Sequence, residues 1–226
     1  MILTDEQTMI RDTVRAFVGD TIRPRSRDFE REGGYPPGLF EAVAALGLMG
    51  MTAPEAFGGA EADYVSYALA LTELAAGDGA LSTIVSIQNS LIVNSLLAEG
   101  SPAQKARWLP DLIAGRTIGA FALTETDAGS DAAAIRTRAQ RVEGGWRLDG
   151  RKQFITSGRI AGLALVVAVT DPEAGRKGMT AFLVSTDTPG YGVERVEHKL
   201  GQGASDTCAL VFEGLDLPED AVLGRA

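Results

Sequence analysis

The sequence predicts an α+β fold in which an all-helical domain, residues 1–117, precedes an antiparallel β-barrel domain, residues 118–226. In the first half, apolar residues recur every three or four positions, which is typical of helices with one buried face. After Gly115 the apolar period changes to two, which indicates strands. Two alternating runs on either side of Gly144-Gly145 indicate a hairpin. These observations favour an antiparallel sheet over an alternating βαβ array.

The first helix is predicted to begin at Thr4, because Gln7 follows three residues later as in a capping box. Its apolar residues recur at helical spacing until Pro24, where we expect the helix to end. Further helices are predicted over residues 37–49, 63–76 and 80–98 and from Ser101-Pro102 to about Gly115, with a Pro- and Gly-bounded loop at 52–60.

The second half contains short runs rich in β-branched residues. After the hairpin "IRTRAQRVEGGWRLDGRKQFIT", the runs are "GLALVVAVT", "MTAFLVST" and "TCALVFEGLDL". Gly, Pro and Asp separate them, as expected for strands joined by turns. The domain boundary therefore falls near residues 116–120.

Composition narrows the function classes. The chain has 226 residues, 45% hydrophobic and 23% charged, which is ordinary for a globular protein. A net charge of -9 argues against a nucleic-acid partner, because neutralising phosphates requires a basic surface. With Cys208 and His198 as the single residues of their types, neither an internal disulfide nor a Cys/His metal site is expected, which indicates a reducing compartment.

Nothing in the sequence indicates a membrane or secretory segment. The N-terminus "MILTDEQTMIRD" is charged by its fifth residue and lacks a signal-peptide core. The longest clean apolar run, residues 163–169, is far shorter than the roughly 20 residues of a spanning helix. We expect a soluble cytoplasmic protein without a membrane partner.

The common catalytic motifs do not explain this chain. There is no Walker loop, and "GQGASD" at 201–206 lacks the third glycine and the strand-to-helix context of a dinucleotide fingerprint. His198 lies between Glu197 and Lys199 near a predicted strand end, which favours a surface or structural histidine over a general base.

The stretch "FALTETDAGSD", residues 121–131, admits two interpretations. Its hydroxyls and backbone N–H groups could form a concave turn that holds an anion or a polar heteroaromatic ring without a cation. Alternatively it is a solvated loop in which Asp127 or Ser130 caps a helix. Spacing alone favours the capping loop.

The whole chain resembles the acyl-CoA dehydrogenase family. "FALTETDAGSD" is similar to that family's flavin-binding signature, and "GRKQFITSG" (150–158) is similar to its second signature. Three more segments follow family order: "PEAFGG" (54–59), "TELAAGDGAL" (72–81) and "GASDTCALVFEGLDLPEDAVLG" (203–224). Each is weak alone, but together they are specific. The chain departs from the common pattern at Thr126, where many members have proline, and at Phe154, which replaces a frequent tryptophan and keeps an aromatic face.

The resemblance implies an FAD-dependent oxidoreductase of fatty acid or branched-chain catabolism. Such an enzyme removes two hydrogens across Cα–Cβ of an acyl-CoA thioester and yields the 2-enoyl-CoA. Electrons would pass to an electron-transferring flavoprotein. The full-length protein would be a homo-oligomer.

The resemblance also implies the cofactor-binding residues, which are Phe121, Ala122, Leu123, Thr124, Gly129, Ser130, Phe154, Ile155 and Thr156. The pyrimidine side and the ribityl-phosphate region of the flavin would be lined by Phe121, Leu123, Thr124 and Ser130. Phe154 would pack on the ring face away from substrate, and Thr156 would offer its hydroxyl near the reactive N5. Ser130 would also contact the acyl-CoA. A hairpin core position for Phe154 and simple β-propensity for Thr156 are the structural alternatives.

Other substrate contacts are expected from both halves of the chain. Acyl-pocket candidates in the helical half are Met49, Leu81, Ile84, Gln88 and Leu91, for which core packing is an equally good explanation. Candidate cations for the CoA phosphates are Arg136, Arg138, Arg176 and Lys177, each of which could equally belong to a solvated face.

The family's catalytic glutamate lies in a C-terminal helical bundle, and none of the glutamates here matches it. Glu125 belongs to the flavin signature and is not assigned as the base. The sequence is therefore expected to comprise the first two of three domains, without a catalytic residue of its own.

Two alternatives stay open at this point. One is a flavin-dependent monooxygenase or an oxidase of the nitroalkane-oxidase type on the same scaffold. The other is a non-catalytic truncated subunit. Acyl chain length and branching are not readable from these residues.

Overall fold

The computed structural model describes residues 2–224, which form two compact units. Among these residues, the helical unit comprises 2–97, 104–117 and 198–205, and the β unit comprises 98–103, 118–197 and 206–224. The helices are α1 (Asp5–Phe17), α2 (Ser26–Glu32), α3 (Leu39–Ala44), α4 (Tyr64–Gly77), α5 (Gly79–Ile87), α6 (Asn94–Glu99) and α7 (Pro102–Ile113). The α+β prediction is confirmed.

Helix α1 begins as predicted. Thr4 Oγ1 accepts the Gln7 N–H at 3.1 Å, and Gln7 Oε1 accepts the Thr4 N–H at 3.1 Å, which completes the capping box. The predicted end at Pro24 is wrong, because a wide helical turn (Val18–Ile22) and a tight one (Arg23–Arg25) lead into α2. Pro24 lies in the first turn of the tight segment, where its missing N–H breaks no hydrogen bond.

The helix predicted over 37–49 is shorter than expected. Only α3 is regular, and turns follow it. Gly38 directly precedes α3, and Gly47 lies in the turns after it; their φ angles of 83° and 77° are ones that glycine adopts without a steric cost.

The long apolar helix predicted over 80–98 is present but not uniform. It runs as α5, a wide turn at Gln88–Val93, and α6. In the described part of the chain, this Gly79–Glu99 run alone has the length and composition of a membrane span, and 56% of its most apolar window is buried inside the protein. Buried core helices of soluble proteins share these properties.

The β unit contains an eight-stranded sheet. Its strands are β1 (Gly119–Ala122), β2 (Arg138–Val142), β3 (Gly145–Thr156), β4 (Leu163–Val169), β5 (Met179–Ser185), β6 (Tyr191–Val196), β7 (Thr207–Pro218) and β8 (Val222–Leu223). The order is β6-β7-β3-β2-β4-β5-β8, with β1 on β4. The predicted hairpin is β2–β3, and it turns at Glu143-Gly144, where Gly144 has a φ of 80°.

The sheet is mixed, so the prediction of an antiparallel barrel without parallel strands requires correction. Strand β1 pairs with β4 in parallel from Gly119↔Leu163 to Ala122↔Val166, and Arg138 of β2 pairs in parallel with Val169 of β4. The other ladders are antiparallel. Strand β4 is buried along most of its length, as is typical of a strand with parallel neighbours.

One apolar core holds the sheet together. Side chains from β1, β2, β3, β4, β5 and β7 belong to a single buried cluster. Trp146 and Phe182 meet inside this cluster edge to face, with ring centroids 5.5 Å apart.

Candidate functional site

The stretch 121–131 leaves the sheet at the end of β1 and closes on itself. Glu125 and Ala128 exchange backbone hydrogen bonds of 3.1 and 3.2 Å around a turn. The following helical turn, Ala132–Ala134, is three residues long and has no side-chain cap. The alternative of a helix-capping loop is therefore wrong, because Asp127 and Ser130 cap no helix.

Strand β3 contains a bulge at the second signature. Lys152 pairs with Leu210 and Ile155 with Cys208, so β3 has one more residue than β7 between these pairs. Phe154 occupies the bulge with a φ of 58°, and 60% of its surface is exposed. A left-handed conformation costs an aromatic residue about 1–2 kcal/mol. Backbone strain beside an exposed aromatic ring is a feature of binding sites. Phe154 is thus not a hairpin core residue.

The bulge and the first signature are hydrogen-bonded to each other. The Gln153 N–H donates to the Thr124 carbonyl oxygen at 2.8 Å. The Thr126 hydroxyl donates to Gln153 Oε1 at 3.0 Å. Residues about 30 apart in sequence are thereby joined, and the exposed ring of Phe154 lies next to this junction.

A buried ion pair lies beneath the same junction. Lys152 Nζ donates to Glu125 Oε1 at 2.8 Å and to the Leu123 carbonyl oxygen at 2.9 Å. The side chains are 0% and 11% exposed, respectively. Glu125 also accepts the backbone N–H groups of Arg136 and Thr137 at 2.6 and 3.0 Å.

The contacts of Glu125 decide its ionisation. Burial raises the pKa of Glu125, but hydrogen bonds from Lys152, Thr137 and Arg136 outweigh burial and leave the pKa below its ordinary value. Burial lowers the pKa of Lys152, against the opposing effect of Glu125. Glu125 is therefore ionised at neutral pH and hydrogen-bonded to Lys152 and two backbone N–H groups. That it is not the catalytic base stays a prediction.

Gly150 allows the strand to pass close to the segment that follows the first signature. A Cβ at Gly150 would lie 2.5 Å from Thr137 Oγ1 and 2.7 Å from Thr137 Cα. The Thr137 hydroxyl instead donates to the Arg151 carbonyl oxygen at 3.2 Å. Close packing against Thr137 therefore requires glycine at position 150, the start of the second signature.

The end of β3 turns sharply after Thr156. Ser157 is buried with a φ of 61°, and its N–H donates to the Asp206 carbonyl oxygen at 3.0 Å. Asp206 Oδ1 accepts the Arg159 N–H and the Cys208 thiol, both at 3.1 Å. These bonds hold the turn and with it the position of Thr156.

The predicted cofactor residues differ in exposure. Phe121, Leu123, Thr124 and Thr156 are half-buried, Gly129 and Ser130 are exposed, and Ala122 and Ile155 are in the core. The hydrogen bonds of Thr124 and Gln153 join the two signatures, whereas Gly129 and Ser130 lie beyond the Glu125–Ala128 turn. The roles of these residues toward a flavin stay predictions.

The acyl-pocket candidates lie mainly in the core of the helical unit. Met49, Leu81, Ile84 and Gln88 are buried, and Leu91 alone of the five is 36% exposed. The Gln88 amide donates to the carbonyl oxygens of Leu112 and Thr117 at 2.8 and 3.0 Å. Core packing accounts for these four positions.

The candidate cations are exposed on the β unit. Arg136 Nη1 lies 3.6 Å from Asp127 Oδ2. Arg136 and Arg138 border an open cleft of about 220 Å³. Arg176 and Lys177 lie in the exposed segment before β5. Each of the four side chains is accessible to an anion, and none of them is buried in a pocket.

The residues excluded from catalysis are placed as follows. His198 is exposed just after β6, and Cys208 is buried in the β core. Among residues 2–224 no group of three or more His, Cys, Asp and Glu side chains could hold a metal ion.

The Lys152–Glu125 pair is the feature that sequence reasoning missed. Counting alternate residues along β3 from Trp146 and Leu148 leads to Lys152 on the buried face. A lysine at an inward position requires a buried partner, since an unpaired buried charge is costly. That signal was present in the sequence, but the identity of the partner was not.

Comparison with known proteins shows which protein family this chain belongs to. Residues 4–116 match the N-terminal domain of acyl-CoA dehydrogenases, and residues 120–215 match their middle domain. Since these matches cover most of the chain, it belongs to the acyl-CoA dehydrogenase family.

Individual relatives agree with this assignment. The chain is 40% identical to an acyl-CoA dehydrogenase of Bacillus subtilis (strain 168) and covers 59% of it. It is 37% identical to a mitochondrial 2-methylacyl-CoA dehydrogenase of Solanum tuberosum and covers 55% of that protein; all of this chain is matched in both. A solved glutaryl-CoA dehydrogenase of Mycobacterium smegmatis in complex with FADH2 superposes with a TM-score of 0.93 at 41% identity, covering 99% of this chain and 56% of that one. The chain thus spans little more than half the length of the relatives it matches.

Proposed function

We propose that this chain is the flavin- and acyl-CoA-binding part of an FAD-dependent acyl-CoA dehydrogenase. The reaction is the α,β-dehydrogenation of an acyl-CoA thioester to the 2-enoyl-CoA. Family membership supports the reaction class. The observation that supports the location of the site is the hydrogen bond from the Gln153 N–H to the Thr124 carbonyl oxygen, because this bond brings the two signature segments together.

The residues at this junction fit a flavin. The exposed, strained ring of Phe154 offers an apolar face to a planar ring system, and the half-buried Thr124 and Thr156 offer polar groups. The solved relative in complex with FADH2 is consistent with this cofactor. When bound, FAD would accept the two electrons removed from the substrate. The protein's contribution is to orient the ring and to hydrogen-bond its polar edge.

Abstraction of the substrate α-proton requires a carboxylate that is free to accept it. Glu125, the carboxylate at the junction, is occupied by Lys152 and two backbone N–H groups. We therefore propose that the base comes from outside these 226 residues.

The partners follow from the same proposal. Acyl-CoA is the substrate, with Ser130 and the exposed arginines of the β unit as its candidate contacts. An electron-transferring flavoprotein is the proposed electron acceptor, and the complete protein is proposed to be a homo-oligomer. A cytoplasmic location stays a prediction of the sequence.

An FAD titration of the chain tests the proposal directly. Quenching of flavin fluorescence on addition of the wild-type chain is expected, with weaker binding by Phe154→Ala and Thr124→Ala variants. A matched variant, Val193→Ala, alters an exposed apolar residue of β6 and should bind as the wild type does. Absence of binding at millimolar FAD would contradict the proposal. With the complete protein, oxygen consumption coupled to turnover would instead indicate the monooxygenase or oxidase alternative.

A further inference from the structure

We propose that Lys152 and Glu125 are positioning residues of the cofactor site. Their buried ion pair holds and polarises the peptide between Leu123 and Thr124, so that the Thr124 N–H is presented to the polar edge of the flavin ring. The inference rests on the proposed function, and it assigns a role to two charged side chains that neither touch the ring nor take part in the chemistry.

The first step is the attachment of the signature backbone to β3. Lys152 Nζ bonds the Leu123 carbonyl oxygen at 2.9 Å, and the Gln153 N–H bonds the Thr124 carbonyl oxygen at 2.8 Å. Consecutive carbonyl groups of the first signature are therefore held by consecutive residues of the second. Because the Lys152 side chain is 0% exposed, water does not compete for its bond.

The second step is the fixing of Lys152 itself. Glu125 neutralises it at 2.8 Å and is held in turn by the N–H groups of Arg136 and Thr137 at 2.6 and 3.0 Å. A buried ammonium without this carboxylate would be an uncompensated charge. The ion pair therefore connects the first signature to residues 136–137, and it holds Lys152 Nζ in place to donate to the Leu123 carbonyl oxygen.

The third step is the effect on the next N–H group. The Leu123 carbonyl and the Thr124 N–H belong to one peptide unit, and a cationic donor on the oxygen makes the N–H a stronger donor. In a trans peptide the two groups point in opposite directions, so this N–H points away from Lys152. Within residues 2–224 no acceptor pairs with it, although Thr124 is half-buried.

The fourth step is the match to a ligand. An unpaired, strengthened donor near an exposed aromatic face suits a planar heteroaromatic ring with carbonyl or nitrogen acceptors at its edge. Phe154 follows Lys152 by two residues on the same strand and supplies that face. The flavin pyrimidine edge has such acceptors.

The test compares Lys152→Met, Glu125→Gln and the double variant with the wild-type chain. Arg147→Met is the matched control, because it breaks an exposed ion pair with Asp216 on the same strand. Three quantities are measured for each: the melting temperature, amide hydrogen exchange over residues 121–137, and the Kd for FAD.

Each single variant is expected to lower the melting temperature, to speed exchange over 121–137, and to weaken FAD binding about tenfold or more, because one buried charge loses its partner. In the double variant both charges are gone, so stability and exchange should return toward wild type. FAD binding should stay about tenfold weakened, since the Leu123 carbonyl no longer has a cationic donor. The Arg147→Met chain should match the wild type in all three.

Recovery of FAD affinity together with stability in the double variant would show a merely structural role and overturn the inference. Single variants with wild-type exchange and wild-type affinity would overturn it as well. A wild-type chain that binds no FAD would instead contradict the proposed function, which separates the failure of one from the failure of the other.

Discussion

The backbone N–H of Gln153 donates to the carbonyl oxygen of Thr124 across 2.8 Å, and this bond joins the end of β1 to the bulge of β3. Neither residue is in regular ladder pairing at this point. The bond therefore fixes one irregular segment against another, and the exposed ring of Phe154 is placed by both.

The left-handed conformation of Phe154 predicts an unusual order of stability. With φ at 58°, Phe154→Gly should unfold at higher urea than Phe154→Ala, by a free energy of about 1 kcal/mol. Within ordinary strands glycine is the less stable of the two. The same pair of substitutions at Val193 on β6, whose φ is not positive, should show that ordinary order. If the alanine variant were more stable than the glycine variant at both sites, the strain argument would be contradicted.

Substitution of Gly150 should destabilise the β unit. The new Cβ of Gly150→Ala would meet Thr137 at 2.5 to 2.8 Å, and such overpacking costs about 1–3 kcal/mol. Gly129→Ala is the control, because its Cβ would meet nothing within 4 Å. Urea unfolding measures both. If Gly150→Ala lowered the free energy of unfolding by no more than Gly129→Ala does, the Thr137 backbone would have to be able to move aside.

The ionisation of Glu125 predicts acid sensitivity. Its folded pKa is below the ordinary value because the hydrogen bonds from Lys152, Thr137 and Arg136 outweigh burial, so the unfolded chain takes up the proton first as the pH falls. The stabilisation is complete above about pH 4.3 and is lost as the pH falls through the lower folded value. Below about pH 4.3, the free energy of unfolding measured in urea should therefore fall more steeply for the wild type than for Glu125→Gln. Parallel curves would rule out this contribution.

Cys208 should resist thiol reagents in the folded protein. Burial, with the hydrogen bond to Asp206, raises the pKa of its thiol to about 12, so little reactive thiolate forms near neutral pH. Since Cys208 is the single cysteine, labelling by a chromogenic disulfide reports on it alone. The rate at about pH 8 should rise only as urea unfolds the chain. Fast labelling without urea would show that the β core opens locally.

The 226-residue chain alone should not dehydrogenate acyl-CoA at an appreciable rate, even with added FAD. A positioned general base contributes a factor of about 10² to 10⁴, and Glu125 is not free to act as one. Dye reduction with short-, medium- and branched-chain acyl-CoA measures the activity. Turnover near that of an intact family member would place a base within these residues, and Glu125→Gln would then be the first variant to assay.

Local patterns were sufficient for much of the architecture. The change from helical to alternating period separated the helices from the strands, and the glycine pair located the hairpin turn. The capping box at Thr4 and Gln7 was also predicted correctly, because its partners lie within one turn of each other. Such features depend on neighbours in sequence, so the sequence alone determines them.

Other features depended on residues distant in sequence. The parallel pairing of β1 with β4 was missed because a short apolar strand does not specify the direction of its partner. Likewise, Pro24 marks a predicted helix end, but the chain continues helically through it.

At the candidate site the division is similar. The sequence contains both signatures, and the family resemblance predicts FAD as the cofactor; the binding of FAD by this chain stays a proposal. Only the tertiary structure showed that Phe154 adopts a left-handed conformation and that Lys152 meets Glu125 in the interior. The physical reason is that strain and a buried charge are tolerated only where surrounding contacts compensate for them, and those contacts come from segments that folding brings together.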